Sequence, residues 1–329
     1  MENNDLEKIY SRLEDEPSKK IFEIRRQYMR DGDKVVFAHQ ILAMHPDMYF
    51  GEIEQFQAQI GSKELCIVGN SAMCKYMYEV LSKTGFSICY CQKAEELKQR
   101  DTTQGYIVFE SSVVGDIQKM GVQPEKILYS ERQFTGRIGW QYFDVLSAGE
   151  KEIFVDIGGY SGETSLDFIK WCGGKYSHIY IFEPNPLIFH KCQKRLEDES
   201  FDNVTVYPIA VSDAKGVDSF YVNENFMYTA KIDKQGAYLV ETDTLDNMLQ
   251  DKEVTFIKVD VEGAEFAVLE GAKQIIYNIH PKIAISVYHN PKDFYLLAEK
   301  ILEICPDYKF KLRHYHTDIN ETILYAYCD

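Results

Sequence analysis

Glu152-Ile-Phe-Val-Asp156-Ile-Gly158-Gly159-Tyr160-Ser161-Gly162-Glu-Thr164 is the stretch on which the reading of this chain turns. An apolar run ends in an acid, three glycines fall within five positions, and helical spacing follows to Cys172. Strand, tight turn and helix is the pattern. The step recurs downstream. His178–Phe182, Val204–Tyr207, Val254–Val259 and Lys282–Tyr288 read as strands, and Pro186–Leu196, Ala264–Tyr277 and Phe294–Ile304 as helices. Tyr308–Tyr315 and Thr322–Tyr327 flank Thr317-Asp-Ile-Asn320 and read as a terminal β-hairpin. The alternation predicts an α/β fold, a Rossmann-like parallel sheet with right-handed crossovers and one antiparallel C-terminal hairpin strand. Ligands of such a sheet belong at the carboxyl ends of its strands.

Upstream, the texture differs. Residues 1–61 read as a helical N-terminal region, with a charged stretch from Glu14 to Arg30 and a second helix around Val35–Met44. Residues 62–140 read as a small Rossmann-like α/β module: strand Glu64–Val68, helix Met73–Leu81, then strands Phe86–Tyr90 and Tyr106–Phe109. Its first turn, Gly69-Asn-Ser-Ala-Met-Cys-Lys75, lacks the Gly-x-Gly-x-x-Gly pattern of dinucleotide sites, so docking or homo-oligomerisation is its expected role. Residues 130–150 lack periodicity and read as the connection. The third domain spans 141–329.

Composition narrows the partners. Of 329 residues, 52 are acidic and 36 basic, a net charge of −16 that disfavours nucleic acid and anionic membranes. The eight cysteines form no Cys-x-x-Cys pair and no zinc-finger spacing, and read as buried thiols. The charged N-terminus does not read as a signal peptide, and no apolar run reaches membrane-spanning length. A cytoplasmic protein without membrane insertion is the expectation.

The loop itself has a chemistry. Gly158, Gly159 and Gly162 permit positive φ and close backbone approach, and the helix behind them offers unpaired N–H groups. Gly-Gly-x-x-Gly is not the dinucleotide spacing, and Tyr160 stands where a pyrophosphate needs bare backbone. Asp156 brings an anion, which suits the cationic groups of S-adenosylmethionine better than a pyrophosphate. Glu183 ends Ile179-Tyr-Ile-Phe-Glu183, in place to accept ribose hydroxyls, with Pro184 and Pro186 fixing the turn around it. After the third strand, Tyr207-Pro-Ile-Ala210-Val211-Ser-Asp213 offers Ala210 and Val211 to an adenine.

Together Phe154–Thr164, Phe182-Glu-Pro-Asn185-Pro186, Ala210-Val-Ser-Asp213, Thr244-Leu-Asp246, Phe256-Ile-Lys-Val-Asp260-Val-Glu262-Gly-Ala-Glu265 and Val268-Leu-Glu-Gly271 resemble the FkbM-type methyltransferase family. The resemblance covers roughly residues 140–329. It implies a methyltransferase that uses S-adenosylmethionine, with Asp156, Gly158, Gly162, Glu183 and Ala210 in the cofactor site; Gly159, Tyr160, Ser161, Thr164, Pro184, Asn185 and Val211, in the same stretches, complete the expected set. It also implies O-methylation of a hydroxyl on a sugar, a glycolipid or polysaccharide precursor, or a secondary metabolite.

Proton removal from such a hydroxyl needs a base near the ends of strands four and five. Asp260, Glu262 and His289 are the candidates, His289 as a neutral imidazole and Lys258 as an orienting group. The same three side chains also read as a carboxylate–histidine set for a divalent metal, a question the sequence leaves open. His314 and His316 read as surface or hairpin residues. Val222–Tyr238, with Phe226, Met227 and Tyr228, reads as an acceptor wall or a plain surface loop. The alternatives are an NAD-type oxidoreductase and a non-enzymatic assembly scaffold.

Overall fold

The computed structural model describes residues 2–99, 104–199, 201–222, 231–232, 236 and 238–328. Phe226, Met227 and Tyr228 lie outside the described residues. Two compact units are present: residues 1–25, 140–314 and 320–329 form one, and residues 26–139 and 315–319 the other.

In chain order the elements begin with helices α1 (Glu2–Tyr10), α2 (Glu16–Asp31), α3 (Lys34–Met44) and α4 (Gly51–Ile60). Next come β1 (Glu64–Val68), α5 (Ala72–Leu81), β2 (Ser87–Cys91), β3 (Gly105–Val108), α6 (Ser111–Lys119) and β4 (Ile127–Tyr129). β1 to β4 make a fully parallel sheet in the order β2-β1-β3-β4, built on Cys66, Val68, Tyr106 and Val108. The fourth strand has only three residues, too short for its alternation to register in sequence. The first turn of this sheet is filled from within. Glu110 Oε1 accepts the Ser71 N–H at 3.1 Å, and a Cβ on Gly69 would lie 2.7 Å from that oxygen. The protein's own carboxylate thus occupies the helix N-terminus where a phosphate would bind.

The larger unit contains β5 (Glu152–Ile157), α7 (Glu163–Trp171), β6 (Tyr176–Phe182), α8 (Pro186–Asp198), β7 (Val204–Tyr207) and β8 (Ile209–Val211). Then follow β9 (Gly216–Tyr221), β10 (Lys231–Ile232), β11 (Tyr238–Asp243), α9 (Leu245–Leu249), β12 (Phe256–Val259), α10 (Glu265–Gly271) and α11 (Lys273–Ile279). The chain ends with β13 (Lys282–Ser286), α12 (Asp293–Ile304), β14 (Lys309–His314) and β15 (Thr322–Tyr327). Seven strands form the main sheet in the order β14-β15-β13-β12-β5-β6-β7, all parallel except β15. The expected α/β class with one antiparallel hairpin strand is therefore the observed one. Its centre is packed with aromatic rings: Phe154 stacks on Phe168 at 4.2 Å, and Phe143, Trp171 and Phe256 close around the pair.

Three local features differ from the expectation. Ile209–Val211, assigned to no element in the sequence, is the first strand of a second sheet, ordered β10-β9-β11-β8. Pro208 cannot donate to the main sheet, so the chain leaves β7 there and pairs with β11 instead. Ala264–Tyr277 is two helices, not one. At the break Gly271 lies so close to the Ser212 carbonyl that a Cβ would sit 2.0 Å from its oxygen. Residues 1–25, read as part of one N-terminal helical region, pack on the main sheet's edge. Glu14 N–H bonds the Phe310 carbonyl, Ser18 Oγ accepts the Leu312 N–H at 2.9 Å, and Phe22 meets Phe294 edge-on. Asp15 is held down to about 2: burial opposes this, but Arg313, with a nitrogen at 2.7 Å, and Ser18 outweigh it. These contacts cover apolar surface on α12 and β14 that would otherwise face water.

Candidate active site

β5 and β12 are neighbours in the sheet, with Asp156 and Lys258 facing each other in register. Both side chains are buried, and Lys258 Nζ lies 3.0 Å from Asp156 Oδ1 and 2.7 Å from the Gly158 carbonyl. Ser165 on α7 donates to the other Asp156 oxygen at 2.8 Å. Burial alone would lower the Lys258 pKa, but the Asp156 and Asp260 carboxylates raise it above the usual value. Asp156 is therefore engaged by the protein. Its charge fixes Lys258 and the start of α7, and Lys258 in turn fixes the glycine loop.

The glycines answer the same internal demand. Gly158 has φ 77°, and a Cβ there would lie 1.8 Å from the Asp260 carbonyl oxygen. A Cβ on Gly159 would lie 2.2 Å from Ile181 Cγ2. Both N–H groups bond the Phe182 carbonyl. Close approach of backbone to backbone, rather than to a ligand, already requires glycine at 158.

Glu183 is buried at the end of β6. One oxygen accepts the Tyr160 N–H at 2.8 Å and the other the Asn185 N–H at 2.8 Å. Burial pushes its pKa up to about 7, the two N–H groups resisting. Tyr160, at φ 46°, is turned outward and partly exposed, whereas Ser161 is buried under Arg195. Thr164 and Pro184 are half-buried. Asn185 caps α8 through Oδ1, while its buried Nδ2 has no hydrogen-bond partner. Ala210 packs with Phe220 and Val240 in the second sheet, and Val211 is buried beside it. The Ala210 side chain belongs to that core.

The acidic run after β12 forms a second cluster. Asp260 Oδ2 accepts from the Tyr142 hydroxyl at 3.0 Å and Oδ1 from the Tyr288 hydroxyl at 3.3 Å. Burial first, and Asp260 second, push both phenols well above their ordinary pKa, so both remain donors. Glu262, at φ 57°, turns the chain so that Glu265 folds back, and Glu265 Oε1 accepts the N–H groups of Val261 and Gly263. His289 completes the group. Its Nδ1 is 2.8 Å from Glu265 Oε1, and its Nε2 is 3.6 Å from Asp260 Oδ1 and 3.7 Å from Glu262 Oε2. Burial would lower the His289 pKa, but the carboxylates of Glu262, Glu265 and Asp260 push it up to about 10. His289 is consequently a cation near neutrality, not the neutral base expected from the sequence. The sequence reading also missed Glu265, Tyr142 and Tyr288 as members of the site. Glu265 was visible only as the end of Asp-x-Glu-Gly-x-Glu, and Tyr142 sits in a stretch without periodicity.

Residues 156–312, from the glycine loop to β14, match the family described as the methyltransferase FkbM domain. That match places an FkbM-type methyltransferase domain at residues 156–312. The fold of the chain is similar to that of methyltransferase FkbM from Methylobacillus flagellatus KT, at 19% identity and a TM-score of 0.51, covering 92% of this chain and all of that one. An rRNA methylase from Streptococcus thermophilus aligns at 14% identity over 55% of this chain and 89% of its own, with a TM-score of 0.36. Precorrin-6y C5,15-methyltransferase from Geobacter metallireducens GS-15 aligns at 11% over 55% and 82%, with a TM-score of 0.37. Among curated proteins, no sequence matches significantly.

Within the methyltransferase domain, Asp156, Gly158 to Gly162, Glu183 and Asn185 surround the carboxyl ends of β5 and β6. Asp260, Glu262 and His289 gather at the ends of β12 and β13. His314 is buried and bonded to Thr322 Oγ1, not on the surface, and His316 is half-buried beside Arg137, where burial and then the Arg137 charge lower its pKa to about 4. Six cysteines are buried and Cys89 and Cys328 half-buried, each a thiol and not part of a disulfide. Among the described residues no helix is long and apolar enough to cross a membrane.

Proposed function

We propose that the chain transfers the methyl group of S-adenosylmethionine to a hydroxyl of a sugar, a glycan precursor or a secondary metabolite. The observation that carries this is the contact between Gly158 and the Asp260 carbonyl, which joins the glycine loop and the acidic cluster into one wall. Methyl transfer is an in-line displacement, so a donor sulfonium and an acceptor oxygen must meet at such a junction. The acceptor oxygen attacks the methyl carbon, the C–S bond breaks to leave S-adenosylhomocysteine, and the hydroxyl proton passes to a carboxylate. Glu262 suits that last part, being the most exposed of the three carboxylates around His289. On the donor side, Glu183 keeps free lone pairs for ribose hydroxyls, and the unpartnered Asn185 Nδ2 lies in the same turn.

The test has two arms. S-adenosylhomocysteine at a hundred times its Kd raises the melting temperature by the equivalent of about 2.7 kcal/mol, while NAD at equal concentration leaves it unchanged. Isotopically labelled S-adenosylmethionine, mixed with metabolite fractions, then labels a hydroxyl-bearing product identified by mass. A shift with NAD, or none with S-adenosylhomocysteine, removes the reading.

Donor binding through Glu183 has a pH signature. The ionised carboxylate accepts both ribose hydroxyls, and protonation costs that ability. With a pKa of about 7 in the free protein, Glu183 is charged above that pH and increasingly neutral below it. Affinity for S-adenosylhomocysteine is therefore flat above pH 7 and falls by up to about tenfold per pH unit below it. In Glu183→Gln the binding is weaker and this slope is gone. A wild-type affinity independent of pH between 5 and 8, measured by calorimetry, contradicts the assignment.

A further inference from the structure

We infer that Asp260, Glu265 and His289 form a binding site for one divalent first-row transition-metal cation, such as Mn2+. The three residues come from different elements: the turn after β12, the first residue of α10 and the loop after β13. Each offers one ligand atom, and these atoms all lie within 4.8 Å of one another. Octahedral ligands about 2.1 Å from a metal lie about 3 Å apart when adjacent, so small side-chain movements bring this set around a common centre.

The imidazole supplies the second observation. The side chain of His289 is only 9% exposed, and carboxylate oxygens stand 2.8, 3.6 and 3.7 Å from its nitrogens. Yet neither ring nitrogen has a hydrogen-bond partner of good geometry. A buried imidazole serving only as an ion-pair partner aligns its N–H groups with the carboxylates, since the alternative forfeits charge-assisted bonds. Glu265 stands at Nδ1 and Asp260 and Glu262 at Nε2, so a cation that takes one ring nitrogen displaces the proton it carries and meets carboxylates already in place.

The surroundings match. The Val261 and Gly263 N–H groups hold Glu265, and the Tyr142 and Tyr288 hydroxyls hold Asp260, which is how ligating carboxylates are oriented from behind. Glu262 adds a further negative charge at the rim. Two carboxylates and an imidazole with no thiolate favour Mn2+ or Fe2+ over the harder Mg2+, for which histidine is a poor ligand. The ion's remaining positions would take oxygens of the acceptor, a part that rests on the methyltransferase reading; the site itself does not.

Full-length protein dialysed against a chelator is titrated with Mn2+, and bound ion is read from the loss of the free-ion EPR signal and by calorimetry. The expected result is one Mn2+ per chain, bound about tenfold or more weakly by Asp260→Asn and by His289→Asn, with Glu110→Gln in the other unit unchanged. Asp260→Asn is isosteric and His289→Asn leaves a smaller polar group, and their melting curves establish that they fold. If one does not fold, the other carries the comparison. No binding by the wild-type chain, or equal affinity in a folded site variant, overturns the site. Mn2+ binding without any S-adenosylhomocysteine shift leaves the cation site standing and removes the methyltransferase reading; the converse removes the cation site alone.

Discussion

Gly158→Ala is expected to destabilise the methyltransferase domain severely and to abolish donor binding with it. Two independent costs meet at this position. An L-residue at φ 77° loses on the order of 1–2 kcal/mol to its own backbone. The added Cβ would also stand 1.8 Å from the Asp260 carbonyl oxygen, and a backbone oxygen cannot swing aside as a side chain can. Forcing β5 and β12 apart at their carboxyl ends adds about 1–3 kcal/mol of overpacking. The sum corresponds to a fall in melting temperature on the order of 10 °C for a domain of this size. Gly174→Ala separates the two costs, because Gly174 has φ 74° but nothing within 4 Å of the position its Cβ would take. It should lose only the backbone share and still bind S-adenosylhomocysteine. Equal melting temperatures for the two variants would show that the contact with Asp260 is not what demands glycine.

That comparison also marks what the sequence discloses and what it hides. The strand–glycine–helix step from Glu152 was legible because β5 is apolar, its turn is glycine-rich, and α7 follows at helical spacing. What the glycines are for was not legible. The spacing pointed to a ligand approaching the loop, whereas the near neighbours of Gly158 and Gly159 are Asp260 and Ile181, on β-strand ends remote in sequence. The Lys258 partner of Asp156 was hidden for the same reason. A strand-terminal acid looks available to a cationic ligand until the register of β12 sets Lys258 opposite it. The pairing of β5 with β12 joins positions remote in sequence, so the local stretch around Asp156 does not reveal it.

The acidic cluster shows the reverse case. Asp260, Glu262 and His289 were brought together correctly because each stands just past the carboxyl end of β12 or β13, where parallel sheets gather functional groups. Protonation was the part that did not follow. An isolated histidine titrates near neutrality, but three carboxylates around one buried ring make it a cation, and their joint effect depends on how Glu262 turns the chain. The second sheet escaped notice for a plainer reason. β8 has three residues and β10 two, below the length at which alternation separates from noise.

Lys258→Met is the other change with a large expected effect, and its second-site partner decides what the effect means. Methionine keeps most of the volume but leaves Asp156 fully buried, with only the Ser165 hydroxyl on its second oxygen. Breaking a buried pair from one side costs about 3–5 kcal/mol, because the remaining charge is uncompensated. The single variant should therefore melt well below the wild type in thermal unfolding followed by circular dichroism. Asp156→Asn added to it removes the stranded charge while keeping the bond with Ser165, so a large part of the lost stability should return. Donor binding should not return with it. The Gly158 carbonyl has lost the Lys258 ammonium 2.7 Å away that anchors the loop, and neither methionine nor asparagine replaces that donor. A double variant as stable as the wild type but defective in binding S-adenosylhomocysteine separates the pair's role in folding from Lys258's role in positioning the loop. A single variant that melts with the wild type and binds equally well would mean that Asp156 finds another partner, and that the pair does not govern the loop.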